Sequence, residues 1–341
     1  MTSPASAPDP AIVLDLIEAY RRSQTMFAAV DLGLFDRLQA GPQTATELAA
    51  AIGAHADSLR RLLNACVALG LLLRNDDRYA NTDMAAAYLT TDSPRRFTGY
   101  IKYSNSAGWK LWGHLGDAIR EGTHRWQQAF GWEGPIFSHF FRTDEAAREF
   151  LMGMHGFGML TSPHVAAAFD LTPFRTLADL GGATGHLAIA CCERYPQLSA
   201  VVFDLPTVTP LATQIVSASS VADRVRVLPG DFFRDPLPPA DLYALGRILH
   251  DWSEETIDRL LARIHSALPP GGGLLIAEKV LDDDHCGPRW ALMQDLNMLT
   301  CTEGRERSLP DYRTVLERAG FTHVQGHRTN VPIDAVLAIK P

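Results

Sequence analysis

One stretch constrains this chain more than any other: Asp179-Leu-Gly-Gly-Ala-Thr-Gly-His186. The apolar run from Phe174 to Ala178 precedes it and reads as a buried strand. Leu187 to Arg194 follows as a helix closed by Tyr195-Pro196. Strand, glycine turn and helix form the opening unit of a doubly wound α/β sheet. Gly181, Gly182 and Gly185 let backbone approach a ligand, and the helix start offers free N–H groups. Such a turn can also do no more than pack a helix on a strand, so its context decides. Val201 to Phe203 reads as the next strand and ends in Asp204, 19 residues beyond Gly185. An acid there suits the ribose hydroxyls of an adenosine group. Val225 to Leu228 is a third strand, and it leads to Asp231 and Phe232, a carboxylate and an aromatic face for an adenine.

The alternation continues. Asp241 to Leu245 is a fourth strand running into Gly246-Arg-Ile-Leu-His-Asp-Trp252, and Leu274 to Ala277 is a fifth ending in Glu278. Helices are expected over Arg289 to Leu299 and Leu309 to Ala319. The closing runs, Thr322 to His327 and Ala335 to Ile339, are joined by a short loop and should pair antiparallel. A dinucleotide-binding half would continue in parallel. A Rossmann-like sheet with a reversed final strand is the methyltransferase variant, and the glycines are spaced Gly-Gly-x-x-Gly rather than G-x-G-x-x-G. Both features favour S-adenosylmethionine over NAD as cofactor.

At 341 residues the chain can hold two domains. Residues 1–10 read as a disordered tail. Residues 11–100 read as a winged helix. Thr44 and Glu47 form a capping-box pattern, two helices follow, and Leu69 to Thr82 makes a wing around Asn75-Asp-Asp77. A winged helix suggests DNA, but residues 1–100 carry nine Lys and Arg against eleven Asp and Glu, and the whole chain has a formal charge of −8. That balance excludes a bulk electrostatic grip on nucleic acid. Ile12, Leu16, Ile17 and Tyr20 recur at helical spacing and call for a partner, so a dimerisation module is preferred. Residues 101–170 are expected to be a helical linker and substrate-pocket region, rich in aromatic residues. Its glycine-rich stretch from Gly153 to Gly158, with Phe157, reads as a helix passing close to a ligand. Residues 171–341 form the cofactor-binding domain. Five cysteines without CxxC spacing point to a reducing, cytoplasmic setting and away from structural zinc. No apolar run is long enough for a membrane.

His250 lies just beyond the fourth strand, where open α/β sheets bind ligands. A neutral imidazole there can take a proton from a substrate hydroxyl, and Glu278 and Glu306 can hold its ring. The plainer readings are a helix-start histidine and surface ion pairs. Arg247 suits a cofactor carboxylate or a structural ion pair. Asp251 and Trp252 read either way. No acidic cluster calls for a metal.

Together, Leu249-His-Asp-Trp252, Asp179 to Gly185, Gly230-Asp-Phe-Phe-Arg-Asp-Pro-Leu-Pro238 and Leu296 to Arg307 resemble the class I O-methyltransferases of the plant small-molecule and acetylserotonin type. The winged module extends the resemblance over nearly the whole chain. It implies a homodimer interlocked through the N-terminal domains, S-adenosylmethionine as methyl donor, and a small aromatic acceptor, phenolic or indolic. It assigns Gly181, Asp204, Asp231, Phe232, Arg247 and Phe141 to the cofactor. His250 becomes the general base, with Glu278 and Glu306 as carboxylate partners, and Met293, Asn297 and Met298 fall at substrate-pocket positions. Two positions depart from the pattern. Ala183 replaces a common glycine, and Cys301 stands where animal acetylserotonin enzymes have a glutamine. Two rival readings differ in kind: a drifted reaction such as hydroxylation or decarboxylation, and a winged-helix regulator.

Overall fold

The computed structural model describes residues 8–134, 141 and 143–341. Two compact units, Met1–Asn105 and Ser106–Pro341, divide the chain. Most of the expected tail, residues 1–7, lies outside the described residues.

In the first unit, helix α1 (Ala11–Asp31) precedes α2 (Ala45–Ile52) and α3 (Ala56–Ala68). Thr44 caps α2 and Glu47 returns a bond to the Thr44 N–H, which satisfies two backbone donors at once. Strands β1 (Gln43–Thr44), β2 (Leu72–Asn75) and β3 (Arg78–Asn81) make an antiparallel wing in the order β1-β3-β2. Leu34, Phe35, Leu48 and Leu63 close the core. The start of α1 is different. Ile12, Leu16, Ile17 and Tyr20 are 52–76% exposed, an apolar row that the unit itself does not cover.

The second unit is built on seven strands: β4 (Thr176–Leu180), β5 (Ser199–Asp204), β6 (Val225–Pro229), β7 (Leu242–Gly246), β8 (Gly273–Glu278), β11 (Thr322–His327) and β12 (Asp334–Ile339). Short strands β9 (Val280–Leu281) and β10 (Arg307–Ser308) pair separately. The sheet order is β11-β12-β8-β7-β4-β5-β6. Strands β4 to β8 run parallel, and β12 pairs antiparallel with both β8 and β11. The reversed strand therefore sits inside the sheet, and β11 takes the edge. Burial explains the choice: Ala335, Val336 and Ala338 of β12 are buried, whereas most of β11 is polar and exposed. Strand order turns around at β4, with β5 on one side and β7 on the other, which opens a crevice at the carboxyl ends.

Helix α4 (Trp109–Trp112) and the long α5 (Asp144–Ala166) lead into the sheet, and α6 (His186–Arg194) follows the glycine turn. Helix α7 (Glu254–Ala267), α8 (Arg289–Cys301) and α9 (Leu309–Arg318) complete the layers used below. The glycine-rich stretch of α5 corrects one expectation. A Cβ on Gly158 would stand 2.3 Å from the His186 ring, so that glycine makes room for α5 against α6 rather than for a ligand.

Candidate active site

The glycine turn is shaped by its neighbours. Gly181 has φ +67°, and a Cβ there would come within 2.6 Å of Ile248 and 3.2 Å of Phe232. Side chains from the β6 and β7 ends thus close on this turn. Ala183 also takes a left-handed φ, +49°, at a cost of about 1 kcal/mol that the glycine usual there would avoid. Asp204 binds the turn directly: its Oδ2 accepts from Ala183 N at 2.8 Å and its Oδ1 from Leu205 N at 2.7 Å. Burial pushes the Asp204 carboxyl up to about 6, against the pull of those two N–H groups. Asp179, fully buried one strand away, is pushed up to about 7 by burial and accepts from Ala188 N. Asp231 accepts from Phe233 N and pairs with Arg234, while Phe232 stacks at 4.7 Å on Phe233, which meets Trp252 edge-on. Trp252 is thereby an aromatic prop.

Arg247 follows β7 with φ +58°. Its guanidinium lies 5.2 Å from the Phe157 ring and donates to Met154 Sδ. Among the described residues it makes no ion pair. An unspent, half-buried cation beside a glycine turn fits an anionic ligand group.

His250 sits in a short 3-10 turn, Leu249–Asp251, and is 3% exposed. Its Nδ1 is 2.7 Å from Glu306 Oε1, and its Nε2 is 3.7 Å from Asp251 Oδ1. Glu306 is itself held by its backbone N–H, which donates to Asp295 Oδ1. Burial works against a charged His250, but Glu306, Asp251 and Glu278 outweigh it and raise the imidazole to about 9. Burial likewise raises Glu306 and Asp251, the latter to about 6.

Glu278 plays a different part from the one expected. Its Oε1 accepts the backbone N–H groups of Ile248, Leu249 and His250 at 3.0, 2.6 and 3.2 Å, and its Oε2 accepts from the Tyr312 hydroxyl. It anchors the main chain that carries His250, not the ring. The donor atoms of His250, Glu278 and Glu306 lie within 4.8 Å of one another, a spacing that could suit a metal ion. Both Glu278 oxygens are already committed to hydrogen bonds, however, and the His250–Glu306 gap is itself one hydrogen bond long.

On α8, Asn297 Oδ1 accepts from the Trp112 indole at 2.8 Å, and Trp290 stacks on Phe157 with centroids 6.0 Å apart. Met293 is half exposed. Met298 is buried, about 100° round the helix from Asn297. Phe141 meets Phe150 edge-on at 6.2 Å. Elsewhere, a hollow of about 480 Å³ is lined by Leu237, Ala262, Arg263, Ser266 and Ala267. It offers no acid–base pair.

Residues 112–322 match a family described as the O-methyltransferase domain, and residues 14–91 match the O-methyltransferase dimerisation domain. The acetylserotonin O-methyltransferase of Bos taurus is 41% identical over 326 residues, 93% of this chain and 94% of that protein. The chain belongs to the S-adenosylmethionine-dependent O-methyltransferase family.

The crystal structure of human N-acetylserotonin methyltransferase in complex with SAM superposes on this O-methyltransferase with a TM-score of 0.92, at 37% identity over 99% of each chain. A human protein named "Probable bifunctional dTTP/UTP pyrophosphatase/methyltransferase protein" is 40% identical over 98% of this chain, which spans 54% of that protein's length. The residues here fit the cofactor on their own chemistry: a turn with no room for side chains at Gly181, an acid on the turn at Asp204, and the unspent cation of Arg247. Sequence reading missed Tyr312, Trp112 and Ile248. None carries a motif signal, because each acts through a partner more than 30 residues away.

Proposed function

We propose that this O-methyltransferase methylates a hydroxyl of a small aromatic molecule, phenolic or indolic, with His250 as general base. The observation that carries the reading is the buried His250–Glu306 pair at the carboxyl ends of the strands, beside the glycine turn. Ionised Glu306 accepts the Nδ1 hydrogen, so the Nε2 lone pair is left for the acceptor. Phenols titrate near about 10 and stay largely protonated at neutral pH, so removing the proton during attack helps. The charge that then forms on His250 is met by Glu306 and by Asp251. When bound, S-adenosylmethionine supplies an electrophilic methyl group. Gly181, Gly182, Gly185, Asp204, Asp231, Phe232 and Arg247 hold it, with Phe141 at its margin. Phe157, Met293, Asn297 and Met298 wall the acceptor side. Most of the rate comes from orientation. The acceptor class takes support from the bovine relative's name and from the aromatic strip on α8. Mass spectrometry of products from a panel of phenols and hydroxyindoles tests this: one methylene gained on oxygen is the expected result. A panel left unmodified, or a hydroxylated or decarboxylated product, would overturn it.

The enzyme works, on this reading, as a homodimer joined through α1. The dimerisation-domain match and the exposed apolar row on α1 support it. Replacing Leu16 and Ile17 by Glu is expected to shift the protein to half its mass in analytical ultracentrifugation. A variant that sediments like wild type would remove α1 from the interface. Its five cysteines are free and four of them are buried, in keeping with a reducing, cytoplasmic setting.

A further inference from the structure

Helix α8 carries more polar recognition than the reaction needs. Trp290, Gln294 and Asn297 fall within one strip of its surface, at spacings of four and three residues. Trp290 is fixed by stacking on Phe157. Asn297 is fixed by Trp112. An indole nitrogen can only donate, so the atom facing it must be the amide oxygen, and the Asn297 NH2 group is left unspent. Gln294 stands between these two anchored residues. Its Nε2 is sealed from solvent and has no hydrogen-bond partner. Buried donors left unmade cost stability, and one persists where a ligand completes it.

We infer that Gln294 and Asn297 form a pair of amide donors that grips a carbonyl oxygen on the acceptor molecule, with Trp112 as the positioning residue that turns Asn297 toward it. The acceptor is then an aromatic alcohol carrying an amide, ester or ketone group. This rests on the reading above, in which Asn297 lines the acceptor pocket. Gln294 contributes nothing to proton removal. It sets which hydroxyl compound is retained, and its loss falls on KM more than on kcat.

The test compares two hydroxyindoles, N-acetylserotonin with its acetamide carbonyl and 5-hydroxyindole without it. The ratio of their kcat/KM values is read in the wild type, in Gln294→Met, which keeps the side-chain length, and in Trp112→Phe, which keeps the ring. The wild type is expected to favour the carbonyl compound. Each variant should lower that preference by about 10- to 100-fold. A ratio within twofold of wild type in both variants overturns the inference. So does a wild type that prefers 5-hydroxyindole, although methylation of either compound leaves the aromatic-acceptor reading standing. If the wild type methylates neither, that reading fails and takes this inference with it.

Discussion

Replacing His250 by alanine should slow turnover by about 10²–10⁴-fold while S-adenosylmethionine still binds. The ring is buried against Glu306, and the cofactor-facing groups Asp204 and Arg247 do not depend on it. Truncation would leave the Glu306 carboxylate buried without its hydrogen-bond donor, so His250→Gln is the companion variant. Its amide can still donate to Glu306 but cannot accept a proton. Both should be equally slow in single-turnover assays, with cofactor affinity measured by calorimetry near that of wild type. Turnover within about threefold of wild type in either variant would remove His250 from the chemistry.

A Glu278→Ala variant should fail differently, by losing the fold around the site. Three backbone N–H groups and the Tyr312 hydroxyl would lose their acceptor together. Each unmet buried donor costs about 1–3 kcal/mol, and part of that is recovered by local relaxation. A net loss of about 3 kcal/mol lowers Tm by about 6–12 °C in a domain of this size. Glu278→Gln keeps one oxygen as acceptor and should recover most of the difference. Thermal melts followed by circular dichroism make the comparison. An alanine variant melting within 2 °C of wild type would show that Glu278 does not anchor the turn.

The contrast between these two carboxylates shows what was legible in the chain. The glycine turn and the strand ends at Asp204 and Asp231 are local patterns, so they could be read from spacing alone. The position of His250 past β7 was readable for the same reason. That Glu306 takes the ring and Glu278 takes the main chain was not readable. The choice depends on how Leu249–Asp251 winds, and on Tyr312 arriving from α9 to occupy the second oxygen. Gly158 misled for a related reason. A glycine that admits a neighbouring helix and one that admits a ligand look alike until the neighbour, His186, is in place. The hairpin of β11 and β12 was legible as a pair. Its orientation in the sheet was written in polarity, in the Thr322-His-Val-Gln-Gly-His327 run that faces water at the edge.

The pH dependence of kcat/KM, in wild type and in Glu306→Gln, tests the central claim most directly. Opposed by burial but carried by Glu306, Asp251 and Glu278, His250 titrates at about 9, so at neutral pH in the free enzyme the ring is largely charged and cannot accept a proton. The wild-type value should therefore climb about tenfold per pH unit and level off near pH 9. Glu306→Gln removes the foremost of the influences that raise the ring, so its midpoint should move to lower pH, with a lower plateau because the ring is no longer held. The acceptor's own ionisation is the same for both proteins and cannot produce that displacement. A flat wild-type profile between pH 6 and 9, or one midpoint shared by the two proteins, would contradict the assignment of His250 as a base governed by Glu306.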